Sequence, residues 1–458
     1  MQDTTRQDIE NLIANQRSFF ATHQTKDIAF RLTQLKKFKA VIQQYETQIA
    51  EALWLDLHKS FEEAYLTEIS MVVQELDNHI RHLKQWSKPK RVPTPLHLIP
   101  STSRIYYEPL GVSLIVAPWN YPFQLLLNPL VGAISAGCTA LLKPSPYTPH
   151  IALLMEKMLG EIFNPNYVAF AQGGREVNQI LLEQRYDLIF FTGSPMLGKI
   201  VMKAAAEHLT PVVLELGGKS PCIVDENADI KIAARRIAWG KCINAGQTCI
   251  APDYLLIHRK VKAEFLKQIP LEIASLYGAD IKTSQFFPRI VNDQAVQRLQ
   301  KLMQHGTIVY GGEVDASQKF IEPTLIDAVQ PDFPIMQEEI FGPILPIITY
   351  DTLSEALAFV QAQEKPLAFY YFGQNDTAKE VLRQTTSGGG CINDTLMHIA
   401  NHHMPFGGVG NSGMNKYHGK ESFVAFSNAR AITFAATWID LPLKYPPFTY
   451  FKWVKKIV

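Results

Sequence analysis

The chain has 458 residues, of which 47% are hydrophobic and 19% are charged, and its formal net charge is +1. This length gives two or three domains with ample core, so stability requires neither disulfides nor a structural metal. A net charge near zero without a long basic run argues against a nucleic-acid partner, and we expect a small-molecule partner instead.

Three sequence features bear on the compartment. The five cysteines are odd in number and far apart, without a Cys-x-x-Cys pair. The N-terminus, MQDTTRQDIENL, is polar and lacks the apolar core of a signal peptide. Apolar runs fall short of the ~20 residues that a membrane span needs. We therefore predict a reduced, cytoplasmic protein without a membrane span.

The first third of the chain is predicted to be helical. Apolar residues recur at steps of three and four between residues 35 and 53, and a second amphipathic run covers 61–86. The stretch 87–103 is rich in Pro and Ser and ends this period. STSRIYYEPLG (101–111) is predicted to form an extended, exposed arm.

From residue 112 onward, short apolar strands alternate with helices, which indicates a parallel sheet covered on both faces. The predicted strands of the first block are 112–118, 139–145, 167–173, 188–194 and 212–218, with a helix at 196–209. A second α/β block is predicted to hold helices near 225–246, 261–277 and 293–304 and strands at 254–258 and 343–349.

Three glycine-containing stretches bear on phosphate binding. GGKS (217–220) resembles the end of a phosphate-binding loop, but Val213 stands where that motif needs glycine. GVGNSG (408–413) matches G-x-G-x-x-G, but it does not follow a predicted strand, so we interpret its glycines as structural. In FFTGSPMLGK (190–199) a strand runs into a helix, the setting in which helix N-terminal amides meet a pyrophosphate. An ordinary tight turn explains that pattern equally well.

Two charged residues at strand ends each have two interpretations. Lys143 ends a predicted strand, a usual place for contacts to an adenosine ribose or a 2′-phosphate, although a solvated lysine is common there. Glu215 lies in the apolar strand LELGG. Burial raises the pKa of a carboxyl group, which suits a general base, whereas an ion pair with a buried Lys or Arg is the structural alternative.

Cys249, in NAGQTCIAP, is either a buried filler or a nucleophile. Free cysteine is among the most buried residue types, and nucleophilic cysteines usually recruit a histidine, which is missing alongside. HIANHH (398–403) has no adjoining third ligand type, so we do not expect a metal site. Asn120, in APWNYPF, follows a strand and is either an oxyanion donor or a turn residue.

Taken together, these motifs resemble the NAD(P)-dependent aldehyde dehydrogenases of the class 3 type, and the resemblance covers nearly the whole chain. It is carried by APWNYP, LLKPS, FTGSPMLGK, LELGGKSP, NAGQTCIAPDY, EEIFGPILP, IND (392–394) and PFGGVGNSGM with YHGKESF. The order of so many motifs is far more specific than any one of them.

The resemblance implies a reaction and the residues that perform it. Cys249 attacks the aldehyde carbon, Asn120 and the Cys249 backbone N–H form the oxyanion hole, and Glu215 activates water. The reaction passes through a thiohemiacetal and a thioester and yields a carboxylic acid. Medium- to long-chain aliphatic or aromatic aldehydes are the implied substrates, and Tyr121 and Phe406 are candidates for the substrate pocket.

The resemblance also implies the cofactor site. Glu339 holds the nicotinamide ribose, Phe341 packs against the cofactor, and the remaining cofactor contacts are Trp119, Lys143, Ser145, Thr192, Gly193, Ser194, Gly198 and Leu216. Pro146 stands where the family commonly carries a glutamate that grips the adenosine ribose. We therefore predict that NADP is accepted as well as NAD.

The resemblance implies a Rossmann-type parallel-sheet cofactor domain, a second α/β catalytic domain, a small β oligomerisation arm and a homodimer. The expected division is 1–96 and 113–215 for the NAD(P)-binding domain, 216–421 for the catalytic domain, 97–112 and 422–445 for the arm, and 446–458 for the tail. The tail alternates aromatics with lysines, and we expect it to pack at the subunit boundary rather than on a membrane surface.

Two alternatives to this function remain open at this point. A CoA-acylating dehydrogenase would pass the acyl group to CoA rather than to water, and Glu215 argues against it. A non-catalytic, cofactor-binding structural protein would be expected to lack Cys249, Asn120 or Glu215, and all three are present.

Overall fold

The computed structural model describes residues 3–456 and contains helices and strands throughout. The helices are α1 Arg6–Ala21, α2 Ile28–Gln44, α3 Glu46–Leu57, α4 Phe61–Ala64, α5 Ser70–Trp86, α6 Gln124–Ala136, α7 Pro149–Gly160, α8 Arg175–Leu182, α9 Pro195–Ala206, α10 Ile230–Cys242, α11 Arg259–Tyr277, α12 Asp293–Leu302, α13 Pro334–Gln337, α14 Leu353–Gln361, α15 Asn375–Gln384, α16 Lys420–Ala425 and α17 Phe451–Val454. The strands are β1 Lys90–Val92, β2 Thr102–Pro109, β3 Val112–Val116, β4 Thr139–Lys143, β5 Val168–Phe170, β6 Leu188–Gly193, β7 Val212–Leu216, β8 Pro221–Val224, β9 Tyr254–His258, β10 Thr307–Tyr310, β11 Val314–Asp315, β12 Phe320–Ile321, β13 Thr324–Asp327, β14 Ile344–Tyr350, β15 Ala368–Phe372, β16 Gly389–Ile392, β17 Gly413–Met414 and β18 Ser427–Phe434.

The first sheet has the order β17-β7-β6-β3-β4-β5. Strands β3 to β7 run parallel, and β17 pairs antiparallel with β7 at the edge. Each of the five strands predicted between 112 and 218 contains an observed strand, which ends one to three residues earlier than predicted. The parallel α/β fold is therefore confirmed.

The second sheet has the order β10-β13-β14-β9-β8-β15-β16 and is parallel apart from β10 at one edge. Sequence analysis predicted β9 and β14 but missed β8, β13, β15 and β16. Those strands have only four or five residues. Short apolar runs of that length do not reliably distinguish a strand from a buried helix segment, and β9, which has five residues, is one of the short strands that the sequence did indicate.

Helix α6 lies against the first sheet, and all of its residues are buried. It packs against β3 and β4, and against α2, α5 and α16. A helix that is apolar on every side is expected to be buried in this way. Its N-terminus directly follows the loop that carries Asn120, so the packing of α6 positions that loop.

The helical regions differ from prediction in two details. The helix predicted over 35–53 is two helices, α2 and α3, which meet at Tyr45. The helix predicted over 61–86 is continuous but contains a π-helical turn at Tyr65–Ile69. Such turns are frequent at functional sites.

The predicted arm contributes β2 and β18, which pair antiparallel over their full lengths, and β1, which precedes the predicted arm, completes a three-stranded sheet of order β1-β2-β18. The arm was expected to include residues 422–445, but 422–425 belong to helix α16 and strand β18 begins only at Ser427. Ser422 and Phe423 of that helix are buried, and Ser422 donates a hydrogen bond to Glu75. Burial of Ser422 and Phe423 and the hydrogen bond to Glu75 of α5 therefore favour a helix over an extended conformation at these residues.

Residues 3–456 contain no helix that is both long and apolar enough to cross a membrane.

The packing between β6 and the C-terminal part of the chain yields the first prediction. Phe190 is fully buried, and its ring meets Tyr417 edge-on at 5.1 Å and stacks on Phe426 at 6.1 Å. Phe190→Ala removes these contacts and leaves a cavity, which costs about 3–5 kcal/mol and lowers the thermal unfolding midpoint in calorimetry. Tyr147 is 56% exposed, so Tyr147→Ala is the control for an exposed aromatic side chain. Equal losses of stability in both variants would contradict the buried packing role of Phe190.

Candidate active site

The backbone before Cys249 is held in an unusual conformation. Asn244, Ala245 and Gly246 have φ angles of 51°, 50° and 72°, three left-handed residues in succession. Only glycine adopts this region without steric cost. A Cβ at Gly246 would overlap the Gly342 carbonyl. Strain of this kind persists only where the surroundings fix it, and it clusters at functional sites.

The side chain of Gln247 fixes this turn. Its Nε2 donates to the carbonyls of Asn244 and Arg289, each at 3.0 Å, and its Oε1 accepts from the Val291 N–H at 2.9 Å. Asn244 contributes its own backbone N–H to Glu63 Oε1 at 2.9 Å. The loop that ends at Cys249 is therefore tied to two other segments of the chain.

Asn120 lies in the loop between β3 and α6 and is 2% exposed. Its Nδ2 donates to the Gln247 carbonyl at 3.0 Å, which places its amide beside the Cys249 loop. Because a carbonyl only accepts, this contact defines which end of the amide is nitrogen. Its Oδ1 is buried without a protein partner.

A cavity of about 530 Å³ opens beside Cys249. Tyr121 and Phe406, the two predicted substrate-pocket residues, both line it. The Tyr121 hydroxyl is 2.6 Å from Thr248 Oγ1, which joins the Asn120 loop to the residue before Cys249. The other lining residues are largely apolar and include Leu66, Met71, Leu125, Trp239, Ile243, Ile250, Leu276 and Ile399.

Glu215 lies in β7, opposite Thr192 of β6 and Gly413 of β17. Both of its carboxyl oxygens and Thr192 Oγ1 are buried without a protein partner. Burial raises the pKa of Glu215 well above its ordinary value, and Lys416 opposes that rise. Unpartnered polar atoms at the end of a sheet are suited to a ligand or a water molecule.

Glu339 follows α13, and burial raises its pKa to about 8, with a smaller contribution from Asp253. The Gly218 N–H donates to this carboxyl group and lowers the pKa. Burial also raises the pKa of the Cys249 thiol, and the Glu339 and Glu215 carboxyls add to that rise. Cys249, Glu215 and Glu339 therefore form one electrostatically coupled group.

The predicted pyrophosphate site lies where β6 runs into α9. Ser194 caps α9, since its Oγ accepts from the Leu197 N–H at 3.4 Å. A Cβ at Gly198 would lie 2.6 Å from Leu216 Cδ2, so glycine lets α9 approach β7 closely. With Thr192 and Gly193 at the strand end, this is a helix N-terminus that can accept an anion.

Lys143 and Ser145 lie at the end of β4, on the other side of β3 from β6. Lys143 is buried and its Nζ donates to the Pro144 carbonyl at 2.7 Å. Burial lowers its pKa to about 8. Trp119 and Phe341 are in edge-on contact, with ring centroids 5.4 Å apart, beside the Asn120 loop.

Two motifs rejected as phosphate sites have structural roles. Lys219 of GGKS forms an ion pair with Asp253 and donates to the carbonyls of Ile335 and Glu338, which tethers the chain just before Glu339. In GVGNSG, Ser412 Oγ accepts from the Val409 N–H, and the turn leads into β17. His398 of HIANHH stacks on Phe406 at 5.9 Å.

Sequence analysis missed the polar residues that support these loops, namely Lys59, Glu63, Glu68, Asn244 and Gln247. One signal was available for Glu68. It falls on the apolar face of the amphipathic run 61–86, where Ala64 and Val72 are buried, and it is itself buried. A charged residue at such a position requires a buried partner.

Comparisons with known proteins agree with this geometry. The model of the aldehyde dehydrogenase family matches residues 1–432. A 4,4'-diaponeurosporen-aldehyde dehydrogenase of Staphylococcus aureus is 48% identical over 451 residues, 98% of each chain. A dimeric, NADP-preferring aldehyde dehydrogenase of the dog, Canis lupus familiaris, is 40% identical over 96% of this chain and 98% of its own.

A solved structure described as the substrate-bound state of Staphylococcus aureus AldH superposes with a TM-score of 0.96 at 48% identity, over 98% of this chain and 99% of its own. The family resemblance and the fold are thus confirmed independently by sequence and by structure. The chain belongs to the aldehyde dehydrogenase family and is an NAD(P)-dependent enzyme that oxidises aldehydes to carboxylic acids.

Proposed function

We propose that Cys249 is the nucleophile, with Asn120 as an oxyanion donor and Glu215 as the base for deacylation. The observation that carries this assignment is the placement of Cys249. It lines an apolar cavity, and the Asn120 amide and two buried carboxyl groups lie next to its loop. Those are the groups that an acyl transfer through a thiol requires.

In the first step, the Cys249 sulfur bonds to the aldehyde carbon and the carbonyl π pair moves to oxygen. The oxyanion is stabilised by the Asn120 Nδ2–H and the Cys249 backbone N–H, and one such donor contributes about 2.7–4 kcal/mol in comparable sites. The thiol must lose its proton for this step. Glu215 or Glu339 can accept it in the ionised form, and the raised pKa of each group makes its carboxylate a stronger base.

The orphaned Thr192 hydroxyl at the end of β6 and the helix N-terminus of α9 that follows it fit a dinucleotide cofactor. Bound NAD(P)+ supplies the hydride acceptor for this reaction. The residues that would hold it are those at the ends of β4, β6 and β7 together with Trp119, Glu339 and Phe341.

In the second half, Cys249 carries the acyl group as a thioester. Glu215 takes a proton from water, the water oxygen bonds to the thioester carbon, and the C–S bond breaks to return the thiolate and release the acid. Lys416 lowers the pKa of Glu215 and so favours the ionised form that a base needs. The presence of Glu215 supports water rather than CoA as the acyl acceptor.

The apolar cavity supports medium- to long-chain aliphatic or aromatic aldehydes as the substrates. The staphylococcal relative is named for a diaponeurosporen aldehyde, which agrees with a long apolar substrate.

The cofactor preference that we propose is for NADP over NAD. Pro146 is exposed beyond the end of β4, where a carboxylate would repel a 2′-phosphate, and Lys143 lies three residues before it in the chain. The canine relative is named as NADP-preferring.

For organisation, we propose that 1–96 and 113–215 bind the cofactor, that 216–421 form the catalytic domain, and that 97–112 and 422–445 form the arm of a homodimer. The name of the canine relative as dimeric supports this assembly.

Many aromatic residues after 437 are exposed, Trp438 at 78% and Trp453 at 61%, which supports packing of the 446–458 tail at a subunit boundary. The free thiols of all five cysteines support a reducing, cytoplasmic location.

The roles of Cys249 and Glu215 are tested by two substitutions. Cys249→Ala is expected to abolish turnover while cofactor binding, measured by fluorescence quenching, is retained. Glu215→Gln is expected to release one equivalent of reduced cofactor in a burst, followed by slow turnover, because deacylation loses its base while Glu339 can still accept the thiol proton in the first step. Cys391→Ala is the matched control, since Cys391 is half-buried and outside the cavity lining. Turnover by Cys249→Ala, or the loss of the Glu215→Gln burst, would refute the corresponding role.

The ionisation of Cys249 is tested by alkylation of the cofactor-free enzyme with iodoacetamide. Burial and two nearby carboxyl groups raise the pKa of this thiol, so the thiolate is scarce at neutral pH. Its alkylation rate is expected to rise about tenfold per pH unit from pH 7 to 9 without levelling off. Cys249→Ala measures the background from the other cysteines. A plateau near pH 7 would show that the thiolate is already formed and would contradict the effect of burial.

The cofactor preference is tested by Pro146→Glu. A carboxylate at this position is expected to lower the specificity constant for NADP relative to NAD by roughly ten- to a hundredfold, because like charges in contact are strongly disfavoured. Pro146→Gln has the same shape without the charge and is the matched control. A strong preference of the unaltered enzyme for NAD would refute the proposal.

A further inference from the structure

The segment 59–68 carries an ion pair that the reaction scheme above does not use. Lys59 Nζ and Glu68 Oε1 are 2.6 Å apart, and both side chains are fully inaccessible to solvent. Burying two charges costs several kcal/mol per ion, and apolar residues of similar volume would often be as stable. Stability therefore does not explain this pair, and its hydrogen bonds indicate what it does.

The pair holds the second half of the loop between β3 and α6, which carries Asn120. Lys59 Nζ donates to the Asn120 carbonyl at 2.9 Å. Glu68 Oε2 accepts from the N–H groups of Phe123 and Gln124, at 2.8 and 3.2 Å, where α6 begins. Lys59 Nζ also lies 4.1 Å from the centre of the Tyr121 ring. Every residue from 120 to 124 except Pro122 thus contacts one member of the pair.

The same segment reaches the Cys249 loop. Glu63 Oε1 accepts the backbone N–H of Asn244, the first left-handed residue of the turn. Asn244 Nδ2 in turn donates to the carbonyls of Asn120 and Gln247, at 2.8 and 3.0 Å. The Asn120 carbonyl therefore accepts from both Lys59 and Asn244, and it fixes one loop against the other.

We propose that Lys59 and Glu68 are positioning residues for the reaction: their ion pair sets the place of the Asn120 amide relative to the Cys249 sulfur. This inference rests on the proposed role of Asn120 as an oxyanion donor. Neither residue lines the cavity, so each acts through Asn120 rather than on the substrate. A misplacement of about 1 Å in such a group reduces the rate about a hundredfold.

The test is a double-mutant cycle between Lys59→Met and Asn120→Ala, read out as the rate of the first hydride transfer in stopped flow. Lys59→Met alone is expected to lower this rate about 10- to 100-fold, with cofactor affinity and the aldehyde KM nearly unchanged. In the Asn120→Ala background, Lys59→Met is expected to have little further effect, because the group that it positions is gone. Glu68→Gln, which keeps the shape of the side chain, is expected to give a smaller loss of the same kind.

Lys39→Met is the matched control. Lys39 Nζ is also 2.6 Å from a carboxylate, that of Asp77, but this pair is partly exposed and neither side chain hydrogen-bonds to residues 120–124. The rate of the first hydride transfer in Lys39→Met should equal that of the unaltered enzyme. If the rate losses of the two single variants multiply in the double variant, Lys59→Met has a general structural effect and the inference is overturned. Failure of both Lys59→Met and Glu68→Gln to fold would also overturn it. If Asn120→Ala alone leaves the rate unchanged, the oxyanion role itself fails, which is a distinct result.

Discussion

The active site depends on a strained turn held in place by hydrogen bonds. Asn244, Ala245 and Gly246 adopt left-handed backbone angles, and the cost of this conformation must be offset elsewhere. Gln247 and Glu63 supply that compensation through buried hydrogen bonds. The turn fixes where the chain emerges at Cys249, so the position of the proposed nucleophile follows from contacts several residues away.

Burial is the second condition that shapes the chemistry. The cavity beside Cys249 is largely apolar, and burial raises the pKa values of Cys249, Glu215 and Glu339. Raised pKa values favour a neutral Cys249 thiol and carboxyl groups that can bind a proton. In the proposed mechanism, this thiol becomes a nucleophile only when the complete site is assembled. No histidine is needed, because a carboxyl group with a raised pKa can accept the thiol proton. Low dielectric also strengthens each donor to the oxyanion.

Much of this could be predicted from the sequence. Continuous apolar runs predicted the parallel sheet. The ordered series of family motifs indicated Cys249, Asn120 and Glu215 as candidate site residues. The support for these residues could not be predicted, since Lys59, Glu68 and Gln247 act through contacts between segments distant in sequence, 61 residues apart for Lys59 and Asn120. Strands β8, β15 and β16 were missed because their apolar runs are too short to show a period. Helix α16 was missed because tertiary packing decides its conformation.

The central claim is that Cys249 carries the acyl group between oxidation and hydrolysis. Its most direct test is mass spectrometry of Glu215→Gln, mixed with a medium-chain aldehyde and NADP+ and quenched in acid after one turnover. We expect the peptide that contains Cys249 to gain the mass of the acyl group. An unmodified Cys249 peptide, or the same added mass on the peptide containing Cys391, would contradict it.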